Sequence, residues 1–285
     1  MFRIKNLALS WQAMVMHAVA ANALETYDSI TIREDLSDAE NMISPVETPF
    51  MSRIAGRTTA SNKYHEWPIV ELGSVDSSNR VPEGEDAPSI DAPVLALRRG
   101  NYTQISDKVV KVTDTSQRVD GAAKVEKLSK QIAYKLKELK RDKETMLLAN
   151  VAADPGAATG ATTRKAAGLS AFSLTNDQLG TSGTSPTLSG TTTGYPNAAA
   201  VNGTLRNFDE TMLGNAIQAV WTEGGDPKYV MCSPTNKKTI SDFTGNATKY
   251  KDANDKKITR SIDVYESDFG QVQVIPNRFN PARDV

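Results

Sequence analysis

The chain has 285 residues, carries a formal net charge of −1, and is 39% hydrophobic but only 6% aromatic. That length allows one large domain or two modest ones, with roughly 75% of the unfolded surface buried around a largely aliphatic core. A pI near 6.2 excludes a protein whose main task is gripping DNA, because phosphate neutralisation needs a basic surplus, whereas a protein that only encloses nucleic acid is free to be near neutral.

Residues 1–23 look in part like a secretion signal, with Arg3 and Lys5, an apolar stretch, and Ala21-Asn22-Ala23 as a cleavage site. Ser10, Gln12 and His17 interrupt the apolar stretch, which also falls short of the roughly 20 apolar residues a membrane span needs. The favoured reading is a translation start at Met14 or Met16, leaving a short tail before Leu24. Residues 27–56 are polar and acidic, then apolar around Ile43 and Phe50, and Pro45 and Pro49 prevent one long helix. The segment reads either as an extended arm that contacts something outside its own core or as a segment packed on its own domain.

Over residues 58–112 the pattern favours strands. Tyr64, Trp67, Ile69 and Val70 start one; Tyr102, Ile105, Val109, Val110 and Val112 mark another. Residues 76–93 between them are rich in Pro, Gly, Ser and acids, so the pair reads as a long hairpin with a polar tip. A two-stranded hairpin is marginal alone in water and needs a neighbour.

Residues 113–150 carry the clearest signal. Asp114 or Thr115 caps a start, and Val125, Leu128, Ile132, Leu136, Leu139, Met146 and Leu147 recur near helical spacing. The run predicts a helix of roughly 30 residues, about 45 Å if continuous. Tyr134 and Lys143 spoil a strict coiled-coil seam. Residues 154–204 are rich in Gly, Thr, Ala and Ser around an apolar island at Leu169 to Phe172, and 181–203 read as a surface loop. The rest alternates: a helix from Phe208 to Glu223 ended by Gly224-Gly225, a short buried strand from Tyr229 to Cys232, a second helix from Ser233-Pro234 to Phe243, and a strand pair around Asp268-Phe269-Gly270. The fold class is α+β.

Signatures of catalysis are missing from the sequence. Gly156 to Gly160 is not followed by the Gly-Lys-Ser/Thr of a phosphate-binding loop, and no Gly-x-Ser-x-Gly occurs. Cys232, the single cysteine, reads as a buried inert thiol, and His65 as a structural histidine. The acidic run Glu83-Gly84-Glu85-Asp86 reads as a solvated hairpin tip ahead of a weak cation site. Charge is unevenly laid out. Residues 1–97 hold fourteen acids against seven bases, while 124–144 hold eight bases against four acids. An acidic hairpin and a basic helix in one chain suit head-to-tail contact between copies, with charges setting register more than strength, or are two unrelated solvated faces.

Specific phrases carry a family resemblance. Asn22 to Asp28, Arg33 to Asp38 and Glu47-Thr48-Pro49-Phe50-Met51 resemble the N-terminal arm of tailed-phage major capsid proteins with the HK97-like fold. His65-Glu66-Trp67 resembles the start of their extended loop, and Arg164 to Leu169 the segment after their spine helix. The most specific likeness is Trp221-Thr222-Glu223-Gly224-Gly225-Asp226-Pro227, continued by Pro234 to Lys238 and Ser267 to Gly270.

The resemblance implies an N-terminal extension and arm over 1–57, an extended hairpin loop (the E-loop) over 58–112, a peripheral P-domain with the spine helix and a following surface loop over 113–205, and an axial A-domain over 206–285 with loops around Gly245 near the capsomer axis. It implies self-assembly into hexamers and pentamers of an icosahedral head, formed in the host bacterial cytoplasm, that encloses double-stranded DNA without reading its sequence. Portal, scaffolding and decoration proteins are the implied partners; membrane, cofactor, metal and catalytic residues are not implied.

Inter-subunit contacts are expected at Glu83, Glu85, Asp86, Lys130, Lys137, Lys140 and Phe50. No Lys–Asn crosslinking pair is assigned. Residues before Asn22 have no counterpart in the resemblance, and relatives continue past the equivalent of Val285, so a C-terminal return strand is expected to be missing. An encapsulin-like compartment shares the fold and is the alternative; a secreted protein or enzyme rests only on residues 1–23. Reversing the charge of Lys130, Lys137 and Lys140 together is expected to impair assembly while leaving the subunit folded. Normal shells from that triple variant, seen by electron microscopy, would refute the role of charge in register.

Overall fold

The computed structural model describes residues 42–54, 56, 58–84, 92–119, 127–157, 162–243 and 263–281. The expectations for residues 1–41, and those on Glu85, Asp86, Lys124, Val125, Gly245 and Ile262, lie outside the described residues. The chain clusters into two compact units. Met1–Ile43 with Thr113–Glu126 form one, and Ser44–Val112 with Lys127–Val285 form the other. In the first unit the described element is helix α2, Asp114–Arg118, which carries an exposed Arg118–Asp114 ion pair at 3.0 Å. All that follows concerns the second unit.

Helix α1, Pro49–Arg53, begins at the proline that the sequence marks as a breaker, because proline fits the first helical position and cannot sit deeper. Strands β1, Tyr64–Ile69, and β2, Leu97–Tyr102, pair antiparallel with Tyr64 opposite Tyr102 and Ile69 opposite Leu97. The hairpin is therefore present, but its second strand lies earlier than expected. Beyond Tyr102 the ladder ends with Thr103 donating to Lys63 O at 2.9 Å, and the chain leaves without strand structure. Ile105 and Val109, expected as strand residues, are 84% and 81% exposed. Their β-branched side chains suit a strand, but no described strand pairs with them.

Gly100 makes the hairpin root possible. A Cβ there would sit 2.5 Å from the Tyr64 ring, which lies across the bare backbone in that space. Tyr64 meets Tyr102 at 4.8 Å and Tyr102 meets Tyr195 edge-on at 5.0 Å, and Tyr102 and Tyr195 pack on the buried Ala153, Ala167 and Ala171. Burial pushes the Tyr64 and Tyr102 hydroxyls above the ordinary tyrosine range.

The expected surface loop over 181–203 instead builds structure. Strand β3, Thr187–Leu188, pairs with β5, Pro196–Ala198, and β4, Thr193–Gly194, adds parallel to β2 as the third strand of the hairpin sheet. Small residues read as loop by composition because they offer little to bury, yet they permit close backbone approach. The amide of Asn101 exchanges two hydrogen bonds with the Ala167 backbone, and Asn150 does the same with Ala200. Arg164 donates through Nε to Thr103 O.

Helix α3, Lys127–Leu148, has 22 residues, about 33 Å at 1.5 Å per residue. The single run expected from 113 is not one described helix, because α2 ends at Arg118 and Val119 is already extended. A 3₁₀ turn, Leu169–Phe172, closes against it. Gly168 lies so close that a Cβ would meet Ala149 O at 1.9 Å.

The C-terminal layer matches expectation closely. Helix α4, Glu210–Thr222, is capped by Asp209, whose carboxylate accepts from Met212 N at 2.8 Å. It ends in a Schellman turn: Gly224, at φ +83°, donates to Trp221 O and Gly225 donates to Val220 O, both at 2.9 Å. Helix α5, Pro234–Ser241, starts at a Ser233 cap. Strands β6 (Tyr229–Cys232), β7 (Val264–Ser267) and β8 (Gly270–Pro276) form a sheet ordered β6-β8-β7, parallel then antiparallel. Both helices cover one face of it, packing Leu213, Ile217 and Ile240 onto Val272, Val274 and Cys232. Cys232 is fully buried, and burial pushes its thiol above the ordinary range, as an inert thiol requires.

Ile240 is fully buried, so Ile240→Ala is expected to cost about 2–5 kcal/mol in denaturant unfolding, whereas Leu136→Ala, at 56% exposure, is expected to cost under about 0.5 kcal/mol. Equal costs would overturn this placement of the core.

Candidate assembly surfaces

Glu144 is fully buried in α3, and three donors converge on its carboxylate. Phe50 N reaches Oε1 at 2.7 Å, Met51 N reaches Oε2 at 2.9 Å, and Asn277 Nδ2 reaches Oε1 at 2.7 Å. Phe50 and Met51 are the second and third residues of α1, whose N–H groups have no partner within the helix, and Pro49 has no N–H to satisfy. One carboxylate thus caps a helix supplied by a segment 93 residues earlier, with the helix dipole favouring its charge. Asn277 is itself fully buried and fully used: its backbone donates to Cys232 O and its Oδ1 accepts from Phe279 N, both at 2.9 Å. Arg53, in the last turn of α1, lies over the Tyr229 ring at 5.7 Å. For residues 48–54, then, the packed reading of the arm holds.

Along α3 runs a groove closed on its other side by the segment around Lys108 and Val110. Ile132, Leu136 and Leu139 line an apolar recess of about 210 Å3. Next to it Glu138, Arg141, Asp142, Thr145 and Phe279 line a polar recess of about 450 Å3. Lys108 belongs to both and pairs with Asp142 at 2.6 Å, which holds its ammonium above the ordinary range through that hydrogen bond. The Arg141 guanidinium stacks over Phe279 at 5.7 Å, and its buried Nε has no partner among the described residues.

A third surface is the hairpin beyond the β1–β2 ladder. Leu72, Val75, Val81 and Leu95 are 85%, 98%, 63% and 74% exposed, an apolar series that the second unit leaves uncovered. Here the chain places apolar side chains where its own fold gives them little to pack on.

The residues expected at subunit contacts fall unevenly on these surfaces. Glu83 sits exposed in the turn of the hairpin. Phe50 is half-buried, with its backbone engaged by Glu144. Lys137 and Lys140 are exposed and Lys130 is half-buried. At 100° per residue, Lys130 and Lys137 share the stripe of Glu144 and do not line the groove, which uses Ile132, Lys135, Leu136 and Leu139. Glu144, Asn277, Lys108 and Arg141 were not singled out by sequence reasoning. The available signal was that Lys130, Lys137, Arg141, Glu144 and Leu148 recur at helical spacing, which puts a carboxylate on a stripe that ends buried.

Among the described residues no group of three His, Cys, Asp or Glu side chains could hold a metal ion, and no helix is long and apolar enough to cross a membrane. A subunit with a small core, a groove along its longest helix and a hairpin left apolar on the outside is built to be completed by other copies of itself, which is the class of shell-forming structural proteins. Residues 18–285 match the family model of the SU10 major capsid protein, and the chain belongs to that family of phage major capsid proteins, components of the virion that self-assemble into a shell. It is similar to the major capsid protein of Escherichia phage Phieco32, 25% identical over 285 aligned positions that cover 90% of this chain and 80% of that protein. Membership in a structural family agrees with the reading as a protein other than an enzyme, and it favours a phage shell over an encapsulin-like compartment.

Glu144→Ala removes the acceptor of three hydrogen bonds and is expected to cost about 3 kcal/mol or more. Glu144→Gln keeps one acceptor oxygen, which can still serve Phe50 N and Asn277 Nδ2, so it is expected to fall between. Unfolding midpoints that do not move in either variant would overturn the role given to this carboxylate.

Proposed function

We propose that copies of this chain assemble as hexamers and pentamers of an icosahedral HK97-like head that encloses double-stranded DNA. In this reading 1–57 form the arm, 58–112 the extended loop, 113–205 the peripheral domain with α3 as its spine, and 206–285 the axial domain. The hairpin of one copy lies along the α3 groove of the next. The observation that carries it is the pairing of an apolar, acidic hairpin with an apolar groove edged by Lys108, Lys135 and Arg141, both uncovered in one chain. Apolar area supplies the strength and exposed ion pairs of about 0–1 kcal/mol each set the register. Glu83, Glu85 and Asp86 of the tip face bases on the neighbouring copy, and Phe50 meets a neighbour at the base of the arm.

DNA is held by enclosure, as the net charge of −1 allows. Portal, scaffolding and decoration proteins meet the assembled lattice in the host bacterial cytoplasm.

Electron microscopy and light scattering of the purified chain test this: rings or megadalton shells are expected, and a folded monomer at high concentration overturns it. Ile132→Asp with Leu136→Asp, at positions 44% and 56% exposed, is expected to abolish assembly while leaving the unfolding midpoint nearly unchanged. Shells of normal yield from that pair would remove the groove from the interface.

A further inference from the structure

The C-terminal layer carries a second uncovered surface, distinct from hairpin and groove. Trp221, near the end of α4, is 54% exposed, and its ring lies 5.3 Å from that of Phe269 in the β7–β8 turn. Exposed acids flank this aromatic shelf: Glu223 caps α4, Asp226 follows the Schellman turn, and Asp268 precedes Phe269. Lys228 answers Asp226 at 3.8 Å across exposed surface, which offsets that charge only in part. From residue 207 to 227 the sequence has four acids and no base. A half-exposed Trp among carboxylates is poor at staying in water and well suited to a cation, since the indole face attracts ammonium groups and the carboxylates add to the attraction.

The chain supplies a segment of matching character. Residues 244–262 hold Lys249, Lys251, Lys256, Lys257 and Arg260 against Asp252 and Asp255. A patch and its complement at different places on one chain make a head-to-tail contact, the kind that closes rings, whereas a self-complementary patch makes only pairs. We propose that the Trp221–Phe269 shelf with its acidic rim is the docking site for the lysine-rich stretch 249–260 of a second copy. The contact rests on the family's self-assembly and is independent of the hairpin-to-groove reading, so either can fail alone.

Charge exchange tests it. One variant reverses the shelf (Glu223→Lys, Asp226→Lys, Asp268→Lys) and another the stretch (Lys249→Glu, Lys251→Glu, Lys256→Glu, Lys257→Glu). Each alone is expected to lower the assembled fraction at least about tenfold in light scattering. An equimolar mixture of the two is expected to form hexamers with the variants alternating, because in an even-membered ring every shelf then meets a stretch of opposite sign. Native yield from either variant alone overturns the proposal. So does a mixture that forms no hexamers, and if in that case a chain bearing both sets assembles by itself, the contact lies within one chain.

Should a variant fail to fold, the unmodified protein decides. Shells grown from mixed 14N and 15N subunits and treated with a carbodiimide are expected to give mixed-isotope crosslinks from Glu223, Asp226 or Asp268 to Lys249–Lys257. Crosslinks confined to one isotope, or none between these residues, overturn it.

Discussion

Three segments far apart in the chain meet at the carboxylate of Glu144: the first turn of α1, the middle of the unit through α3, and the strand-end loop at Asn277. A buried carboxylate is costly unless its lone pairs are occupied, and here three N–H donors within 2.9 Å occupy them. The arrangement is economical because each donor also needs an acceptor. The two α1 N–H groups are orphans of helix geometry, and the Asn277 amide is sealed from water. Remove the acceptor and all three donors are stranded together. The C-terminal sheet and α1 are therefore both tied to α3 through one side chain.

That dependence follows from how little of α3 is buried. Glu144 and Leu148 are its buried residues, while Ile132 and Leu136 face outward. In a self-sufficient domain a 22-residue helix would press an apolar stripe into a core, and helices draw most of their stability from such packing. Here the stripe faces a groove and remains half-open. The subunit is held at its centre by polar knots (Glu144, and the Asn101 and Asn150 amides) and keeps much of its apolar surface for neighbours. For a shell subunit this division has a physical logic: specificity of the monomer fold comes from directional bonds, and the free energy of association from area left uncovered.

How much of this was legible in the sequence varies by element for physical reasons. The C-terminal layer was read nearly to the residue because its signals are local: Asp209 and Ser233 cap, Gly224-Gly225 terminates, and Val272 and Val274 alternate. The second hairpin strand was misplaced because Ile105, Val109 and Val110 are the β-branched residues that strands favour, while Leu97–Tyr102, with two arginines and a glycine, has none. Pairing partner and the Tyr64–Gly100 contact decided it, and both are non-local. The Gly/Thr-rich stretch over 181–203 concealed its strands because close packing through absent side chains leaves no hydrophobic pattern. Glu144 was missed for the opposite reason: among the many charges of α3 its one local mark is the helical stripe it shares with Leu148, while its partners lie 93 and 133 residues away.

The polar knot and the open apolar surfaces are linked through α1. Arg53 of that helix reaches Tyr229 on the C-terminal sheet, and Phe50 and Met51 hang from Glu144, so the arm joins the sheet to α3 at two points. A neighbour that pulled on the arm would load the Glu144 bonds directly, and one that filled the α3 groove would press on Arg141 and Phe279, one turn and a short loop from Glu144 and Asn277. Both kinds of contact act on the same junction. Association that tightens this junction would stabilise the subunit that receives it, since anything binding only the folded form adds to its stability. A subunit of modest stability alone and firmer stability in the lattice is then a consequence of where one carboxylate sits.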